Sequence, residues 1–206
     1  MTEFEAREAL AECCRRLYGK GFLPGMDGNI SVRVGEDSAL ITPSGVSKAK
    51  ITGDMLVHMR LSGEVISGGR PSSEASMHLA VYRSRSDAGA VIHAHSPNIG
   101  AFAVSGKRID TRCTAFSYFH LGEIAEVPYI TPGSAEFHSA VGQRVSEGYN
   151  SFLLYGHGSL ALGSDIEDAF ARMDLFEAFA GMLIKAEALG GAKPLSAEDL
   201  AKITGG

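Results

Sequence analysis

The sequence predicts an α/β protein of the α+β type, a single domain whose mainly antiparallel central sheet is flanked by helices. Two observations support this class. Strand patterns early in the chain follow one another in hairpins, whereas later strand patterns alternate with helical ones. With 206 residues, 45% of them hydrophobic, the chain can bury one large core. We therefore expect one domain over residues 1–206, with a mobile tail over 191–206.

The first predicted element is a helix that begins after Thr2. Thr2 and Glu5 form a capping-box pattern, apolar residues follow at helical spacing, and Gly19 ends the helix. This pattern differs from that of a signal peptide, and no apolar run approaches the roughly 18 residues of a membrane span. These features predict a cytoplasmic protein.

Cysteine usage and charge narrow the class of partner. Cys13 and Cys14 fall within the first helix and Cys113 stands alone, so we expect reduced, packed cysteines. The formal net charge is -5, and Lys and Arg do not cluster. This disfavours nucleic acid and acidic membranes as partners. An anionic small substrate would need local hydrogen-bond donors.

Two hairpins are predicted next. Residues 29–34 alternate between apolar and polar and pair with residues 39–42 across a short turn. After a helical turn over 52–55, the strand patterns 56–60 and 64–66 flank a Ser-Gly turn. The first part of the chain is therefore a meander.

Helices and strands alternate in the second half. A helix follows Ser72 or Ser73 as N-cap, and an apolar strand ends in two histidines. The remaining predictions are a helix from Ser96 or Asn98 to 104, a strand over 127–131, a helix over 134–147, a strand over 152–155 that 160–162 continues or pairs with, a long helix capped by Ser164 and Glu167 and ending near Gly190, and a helical turn over 196–203 before a frayed Gly205-Gly206 end.

Three histidines form the most informative pattern. His93 and His95 lie two residues apart at the end of one strand, so their side chains point the same way. His157 lies between two glycines directly after another apolar strand. A catalytic zinc site typically has three protein ligands and an open position, and imidazole is among the preferred ligands. Each pattern alone is typical of ordinary polar or loop histidines.

Glu74 is the acid we expect near such a metal. A carboxylate at a helix N-terminus is stabilised by the helix dipole, which is the simpler interpretation. Beside a Lewis acid, it could instead move a proton to or from a carbon next to a carbonyl, a role that a raised pKa suits. His78, one turn later on the same face, could orient Glu74, although a packed or surface histidine is the favoured interpretation.

Three small polar stretches could form an anion pocket: Gly28-Asn29, Ser44-Gly45 and Ser72-Ser73. Each offers an amide, a hydroxyl or a backbone N–H without a fixed positive charge, and the last lies at a helix N-terminus. Individually, each is equally typical of a turn or a cap.

The chain resembles the class II aldolase/adducin family, and most of all its L-fuculose-1-phosphate aldolase branch, in five ordered motifs: Gly28-Asn29-Ile30-Ser31, Thr42-Pro43-Ser44-Gly45, Pro71-Ser72-Ser73-Glu74, His93-Ala94-His95 and Gly156-His157-Gly158. The resemblance spans nearly the whole chain. It implies a zinc enzyme, with another divalent metal as alternative, that forms a homotetramer with active sites at subunit interfaces.

The resemblance also implies roles for individual residues. His93, His95 and His157 would bind the metal, with Glu74 as the catalytic acid/base and, in the resting state, a fourth ligand. The substrate phosphate would be held by Asn29, Ser44, Gly45, Ser72 and Ser73.

The implied reaction is retro-aldol cleavage of a ketose 1-phosphate to dihydroxyacetone phosphate and an aldehyde through a metal-stabilised enediolate. Sister sugar-phosphate 4-epimerases carry aspartate at the position of Glu74. Fuculose-phosphate aldolases use a tyrosine of a neighbouring subunit at the aldehyde end, for which Tyr118 is the counterpart here, and a second tyrosine in a tail that has none in this sequence. A 5-deoxy or 5-methylthio pentulose 1-phosphate would suit a more apolar aldehyde pocket.

Other functions stay open. A decarboxylase or dehydratase of the same superfamily would keep the three histidines and use a different acid, for which Glu123 or Glu126 could serve. A sugar-phosphate 4-epimerase is a further alternative. A non-catalytic, adducin-like binding domain would keep the fold without the metal. The intact histidines and Glu74 argue against that last function.

Overall fold

A mixed sheet runs through the centre of the protein, for which a computed structural model describes residues 2–203. Within those residues the sheet has eight strands in the spatial order 4-3-2-1-5-8-7-6, and only the pair formed by the sixth and seventh strands is parallel. The strands are β1 (Asn29–Arg33), β2 (Ser38–Ile41), β3 (Val57–Arg60), β4 (Val65–Ser67), β5 (Ala90–Ala94), β6 (Ile124–Val127), β7 (Ser151–Leu154) and β8 (Gly158–Gly163). The predicted fold class, mainly antiparallel with flanking helices, is confirmed.

Helices cover both faces of the sheet. They are α1 (Glu3–Gly19), α2 (Ala75–Ser84), α3 (Pro97–Ser105), α4 (Ala115–Leu121), α5 (Ala135–Ser146), α6 (Ile166–Glu187) and α7 (Ala197–Ile203). None of these helices of the described chain is long and apolar enough to cross a membrane.

The two faces have separate cores because successive side chains of a strand point to opposite sides. On β5, Ile92 and Ala94 pack in a cluster with residues of α1, α3 and α6. Val91 packs in the other cluster, with residues of α2 and α5. The result is a three-layer arrangement in which β5 is buried over its whole length.

Several predicted elements are confirmed. Thr2 and Glu5 form the capping box of α1, and Ser134 caps α5. The hairpins β1–β2 and β3–β4 form as predicted, and β8 turns back on β7 in an antiparallel pair. The pair Gly205-Gly206, predicted as a frayed end, lies outside the described residues.

Three boundaries differ from the prediction. The N-cap of α2 is Glu74, not Ser72 or Ser73, because the Ser72 carbonyl and hydroxyl instead accept the backbone N–H groups of Ala75 and Glu74 in a turn. The predicted strand over 127–131 is wrong: β6 ends at Val127, and Pro128 has no N–H to continue a ladder.

The cap of the long helix α6 also differs. Its N-cap is Asp165, whose carboxylate accepts the N–H of Asp168 at 2.9 Å. The predicted partner Glu167 pairs instead with Arg16 of α1 at 2.6 Å. The helix ends at Glu187, before Gly190, whose positive φ of 97° turns the chain. In the tail, the Leu195 N–H donates to a backbone carbonyl of the segment that precedes α4.

Candidate metal centre

The site lies at one end of β1, β5 and β8. Asn29, the first residue of β1, is directly opposite His93 on β5, and β5 pairs on its other side with β8. His95 follows the end of β5, and His157 lies in the turn between β7 and β8. Glu74 reaches the same place from the N-terminus of α2, the helix that packs on this face of the sheet.

The three histidines converge. The ring centroids are 4.8 Å apart for His93 and His95, 4.7 Å for His93 and His157, and 5.3 Å for His95 and His157. The Nε2 atoms of His93 and His95 are 2.9 Å apart. The three predicted ligands are thus brought together, and one nitrogen from each lies within 4.8 Å of the others.

Glu74 closes the cluster on a fourth side. Its Oε2 lies 3.3 Å from Nε2 of His93, and its Oε1 lies 3.2 Å from Nε2 of His157. Burial alone would raise the pKa of the Glu74 carboxyl, but contacts with His157, His93 and the Asn29 amide outweigh this and hold the pKa well below its ordinary value. The sequence analysis associated the acid/base role with a raised pKa; the neighbouring imidazoles and the Asn29 amide shift the pKa of Glu74 in the opposite direction.

The arrangement fits a divalent cation. Nδ1 of the fully buried His93 faces the Ser159 carbonyl at 2.8 Å, so it must carry the ring proton, which leaves a lone pair on Nε2. Burial, reinforced by His93 and His157, lowers the pKa of His95 to about 4, so this ring is neutral at pH 7. Several lone pairs and a carboxylate facing one point are the donors that a metal ion accepts.

The two glycines around His157 have separate structural reasons. Gly156 has a φ of 67°, a conformation that other residues rarely adopt. A Cβ on Gly158 would lie 2.7 Å from the Ala94 carbonyl oxygen and 3.1 Å from the His95 ring. Only glycine therefore lets β8 approach β5 closely enough for the three imidazoles to meet.

The three predicted anion-binding stretches are adjacent in space. Pro43 and Pro71 form an isolated bridge, and the Ser44 N–H donates to the Arg70 carbonyl at 3.0 Å. Ser73 and Gly45 are exposed, whereas Asn29 is buried and donates from Nδ2 to Glu74 at 2.7 Å. The three stretches are therefore neighbours, and their role in binding an anion stays a prediction.

Tyr118 lies elsewhere in the protomer. It belongs to α4, which packs against α6, α7 and the turn before it. No hydrogen bond or ring contact joins Tyr118 to the histidines among residues 2–203. Of the alternative acids, Glu126 is paired with Arg108 at 2.5 Å.

Two functional features were missed. Lys48 is almost fully buried, and its Nζ donates to the carbonyls of Met26 at 2.7 Å and Val46 at 3.3 Å. It thus places a positive charge between two loops that were expected to have none. Behind the site, the Ser31 hydroxyl forms one hydrogen bond with His78 and a second with the Tyr82 hydroxyl. The sequence does not distinguish the buried Lys48 from the exposed Lys50 two residues later. Ser31 and Tyr82 likewise resemble ordinary strand and helix residues.

The chain belongs to the Class II Aldolase and Adducin N-terminal domain family, whose sequence profile matches residues 8–184. The resemblance seen in the five motifs is thereby confirmed. A 3-oxo-tetronate 4-phosphate decarboxylase of Haemophilus influenzae is 30% identical over 173 residues, which cover 82% of this chain and 82% of that protein. A 5-methylthioribulose-1-phosphate/5-deoxyribulose-1-phosphate aldolase of Escherichia coli O45:K1 is 32% identical over 198 residues, 96% and 92% of the two chains.

A solved structure shows the same fold. The structure of an L-fuculose 1-phosphate aldolase superposes on this protein with a TM-score of 0.85 and 29% sequence identity. The superposition covers 98% of this chain and 96% of the aldolase chain. The superfamily is thus established, and its members include both aldolases and decarboxylases.

Proposed function

We propose that this protein is a zinc-dependent aldolase that cleaves a ketose 1-phosphate to dihydroxyacetone phosphate and an aldehyde. The observation that carries the proposal is the convergence of Glu74 with His93, His95 and His157 at the end of β5. Three imidazoles favour zinc, although another divalent metal of similar preference would fit the same donors.

A bound divalent cation would supply a Lewis acid for the negative charge that develops on the carbonyl and neighbouring hydroxyl oxygens as C3–C4 breaks. Glu74 would protonate C3 of the cleaved fragment and remove that proton in the reverse direction. Contacts with the histidines and Asn29 keep the pKa of its carboxyl low, so Glu74 starts ionised; in the cleavage direction it would first accept the proton that the C4 hydroxyl loses and then pass it to C3.

Asn29, Ser44, Gly45, Ser72 and Ser73 would hold the substrate phosphate. Hydroxyl and backbone N–H groups in adjacent turns are suitable phosphate ligands. The buried ammonium of Lys48 beneath these turns supports an anionic ligand, because it adds the positive charge that the turns themselves lack.

Tyr118 would act from a neighbouring subunit of a homotetramer, where it would contact the aldehyde end of the substrate. The exposed aromatic side chains of Phe116 and Phe119 on the same helix, 61% and 65% exposed, support burial of α4 against another copy. The cytoplasmic location expected from the sequence stays a prediction.

A decarboxylase is the second candidate, favoured by the 30% identity to a 3-oxo-tetronate 4-phosphate decarboxylase. Loss of carbon dioxide from the carbon two positions from a ketone leaves the same kind of charge on the same two oxygens as loss of an aldehyde. The site would need no rearrangement between the two reactions, so the substrate alone distinguishes them.

A coupled assay for dihydroxyacetone phosphate tests both candidates on zinc-loaded protein. The panel contains L-fuculose 1-phosphate, 5-deoxyribulose 1-phosphate, 5-methylthioribulose 1-phosphate and 3-oxo-tetronate 4-phosphate. Release from a ketose 1-phosphate with an equal amount of aldehyde supports the aldolase. Release from the tetronate alone, with carbon dioxide, would replace it by the decarboxylase.

Replacing Glu74 by Gln tests the acid/base role. We expect kcat to fall by about 100-fold or more, since general acid–base catalysis contributes roughly 10²–10⁴-fold, with zinc content retained. The Glu136→Gln variant, in the exposed first turn of α5, is a matched control for a simple helix-end effect. Turnover by Glu74→Gln equal to that of the control would remove Glu74 from the mechanism.

A further inference from the structure

A continuous chain of buried hydrogen bonds ends on Glu74. The Tyr82 hydroxyl lies 2.7 Å from Oγ of Ser31, which lies 2.7 Å from Nδ1 of His78. On the other side of the ring, Nε2 of His78 lies 2.5 Å from Oδ1 of Asn29, and Nδ2 of Asn29 lies 2.7 Å from Oε2 of Glu74. The four residues behind Glu74 are each at most 3% exposed.

The chemistry of the groups allows one direction for this chain. An ionised carboxylate only accepts hydrogen bonds, so Asn29 must present its NH₂ group to Glu74 and its oxygen to His78. The Asn29 oxygen in turn requires a proton on Nε2 of His78. Nδ1 of a neutral ring is then an acceptor, so Ser31 donates to it and accepts from Tyr82.

The environment of the ring agrees with this assignment. Burial lowers the pKa of His78 to about 3, so the ring is neutral and carries one proton. Burial also raises the pKa of the Tyr82 hydroxyl, which therefore keeps its proton and donates. Each of the four hydrogen bonds in the chain then joins one donor to one acceptor.

We propose that His78 is a positioning residue that holds the Asn29 amide with its NH₂ group toward Glu74, and that Ser31 and Tyr82 hold the His78 ring in the tautomer this requires. The proposal rests on the proposed function of Glu74 beside the metal. A flipped Asn29 amide would place its oxygen against the carboxylate and push Glu74 away from His93 and His157. Outer partners of this kind commonly change metal affinity or activity by about 10–100-fold.

A histidine that merely fills the core would show different behaviour. A packing role depends on volume, whereas the positioning role depends on which ring nitrogen is replaced. The amide nitrogen of glutamine can occupy the place of Nε2 and donate to Asn29, while asparagine reaches only the place of Nδ1. The two variants therefore separate the two roles.

The direct test is the tautomer of His78 in zinc-loaded protein labelled with ¹⁵N-histidine. Long-range ¹H–¹⁵N correlation spectra should show a proton on Nε2 and a bare Nδ1 at pH 7. A proton on Nδ1, or on both nitrogens, would overturn the proposal. This measurement requires no variant and no substrate.

The functional test compares His78→Gln with His78→Asn. Zinc affinity, measured by competition with a chromophoric chelator, and kcat should both fall by about 10–100-fold in His78→Asn and stay within about threefold in His78→Gln. His58→Gln is the matched control, because it removes another histidine–serine pair, 2.9 Å from Ser38, away from the chain. Equal effects of Gln and Asn at position 78 would overturn the proposal.

The tests of His78 and the test of the aldolase activity can fail independently of each other. The tautomer and the zinc affinity are measured without substrate, so a protein that cleaves none of the ketose phosphates contradicts the aldolase and leaves the positioning of Glu74 standing. The reverse result, turnover with the wrong tautomer, contradicts only the role of His78.

Discussion

Single residues decide whether the three imidazoles can meet. His157 lies in a turn whose preceding glycine has a positive φ, and its following glycine has no room for a side chain beside Ala94 and His95. Within residues 2–203, Nδ1 of His157 has no hydrogen-bond partner. This ring is therefore held by the turn and by its neighbours at Nε2, unlike His93, whose Nδ1 is fixed by the Ser159 carbonyl.

Replacing His157 by Ala should remove one of the proposed metal ligands. We expect zinc affinity to fall by more than the roughly 100-fold that the loss of an outer partner costs. Metal content after dialysis, measured by atomic emission, checks this result. His138→Ala, at a half-buried position of α5, serves as the control, and a His157→Ala protein that retains as much zinc as this control would place the third ligand elsewhere.

At the scale of elements, α6 holds the segment that follows the histidine strand. Glu177, 5% exposed, accepts the backbone N–H groups of Asn98 at 2.8 Å and Ile99 at 2.9 Å in the first turn of α3. The N-cap residue Ser96 forms no side-chain cap bond. The carboxylate from a distant helix thus caps α3 and complements its dipole, which fixes where the chain leaves His95.

Replacing Glu177 by Gln keeps the shape but removes the charge and one acceptor. We expect a loss of about 2–4 kcal/mol in the free energy of unfolding, from one charged hydrogen bond and the helix dipole. Urea denaturation measures it. Glu187→Gln, at the exposed end of the same helix, should change stability by about 0.5 kcal/mol or less. Equal stability of the two variants would show that the cap contributes little.

At the scale of the whole molecule, the buried neutral histidine makes stability depend on pH. The pKa of His78 is lowered to about 3, chiefly by burial, with His93 lowering it further and Glu74 opposing. A histidine in the unfolded chain has a pKa of about 6.5. Between these two pH values the unfolded state therefore binds a proton that the folded state does not bind. The contribution of His78 to the free energy of unfolding is complete above pH 6.5 and is lost as the pH falls toward 3.

We expect the free energy of unfolding to fall as the pH is lowered from 6 to 4. His78 should contribute about 1.4 kcal/mol per pH unit to this slope. Urea denaturation at several pH values should show a slope smaller by about this amount in His78→Gln. Tyr82→Phe is the control, since it lowers stability and leaves the buried histidine in place. An unchanged slope in His78→Gln would mean that His78 is protonated in the folded protein.

The sequence predicted much of the fold because the signals were local. Capping at Thr2, the two hairpins, and the positions of the histidines depend on a few neighbouring residues. The N-termini of α2 and α6 were misplaced. Ser72 donates its N–H to the carbonyl of Thr42, which is distant in sequence, and Glu74 takes the cap position of α2; at the start of α6, Asp165 instead of Ser164 accepts the N–H of Asp168. Helix α4 was not predicted. It packs against α6, which is distant in sequence, so no pattern of neighbouring residues indicated it.

By itself, the sequence determined the fold class, the family and the candidates for the metal centre, because ordered motifs and side-chain periodicity are properties of the chain. Only the tertiary structure decided how those residues act on one another. The opposition of Asn29 and His93, the low pKa of Glu74, the hydrogen bonds of His78 and the burial of Lys48 arise from strand register and from burial. Both depend on segments that are distant in sequence and meet only when the sheet and its two helical layers assemble.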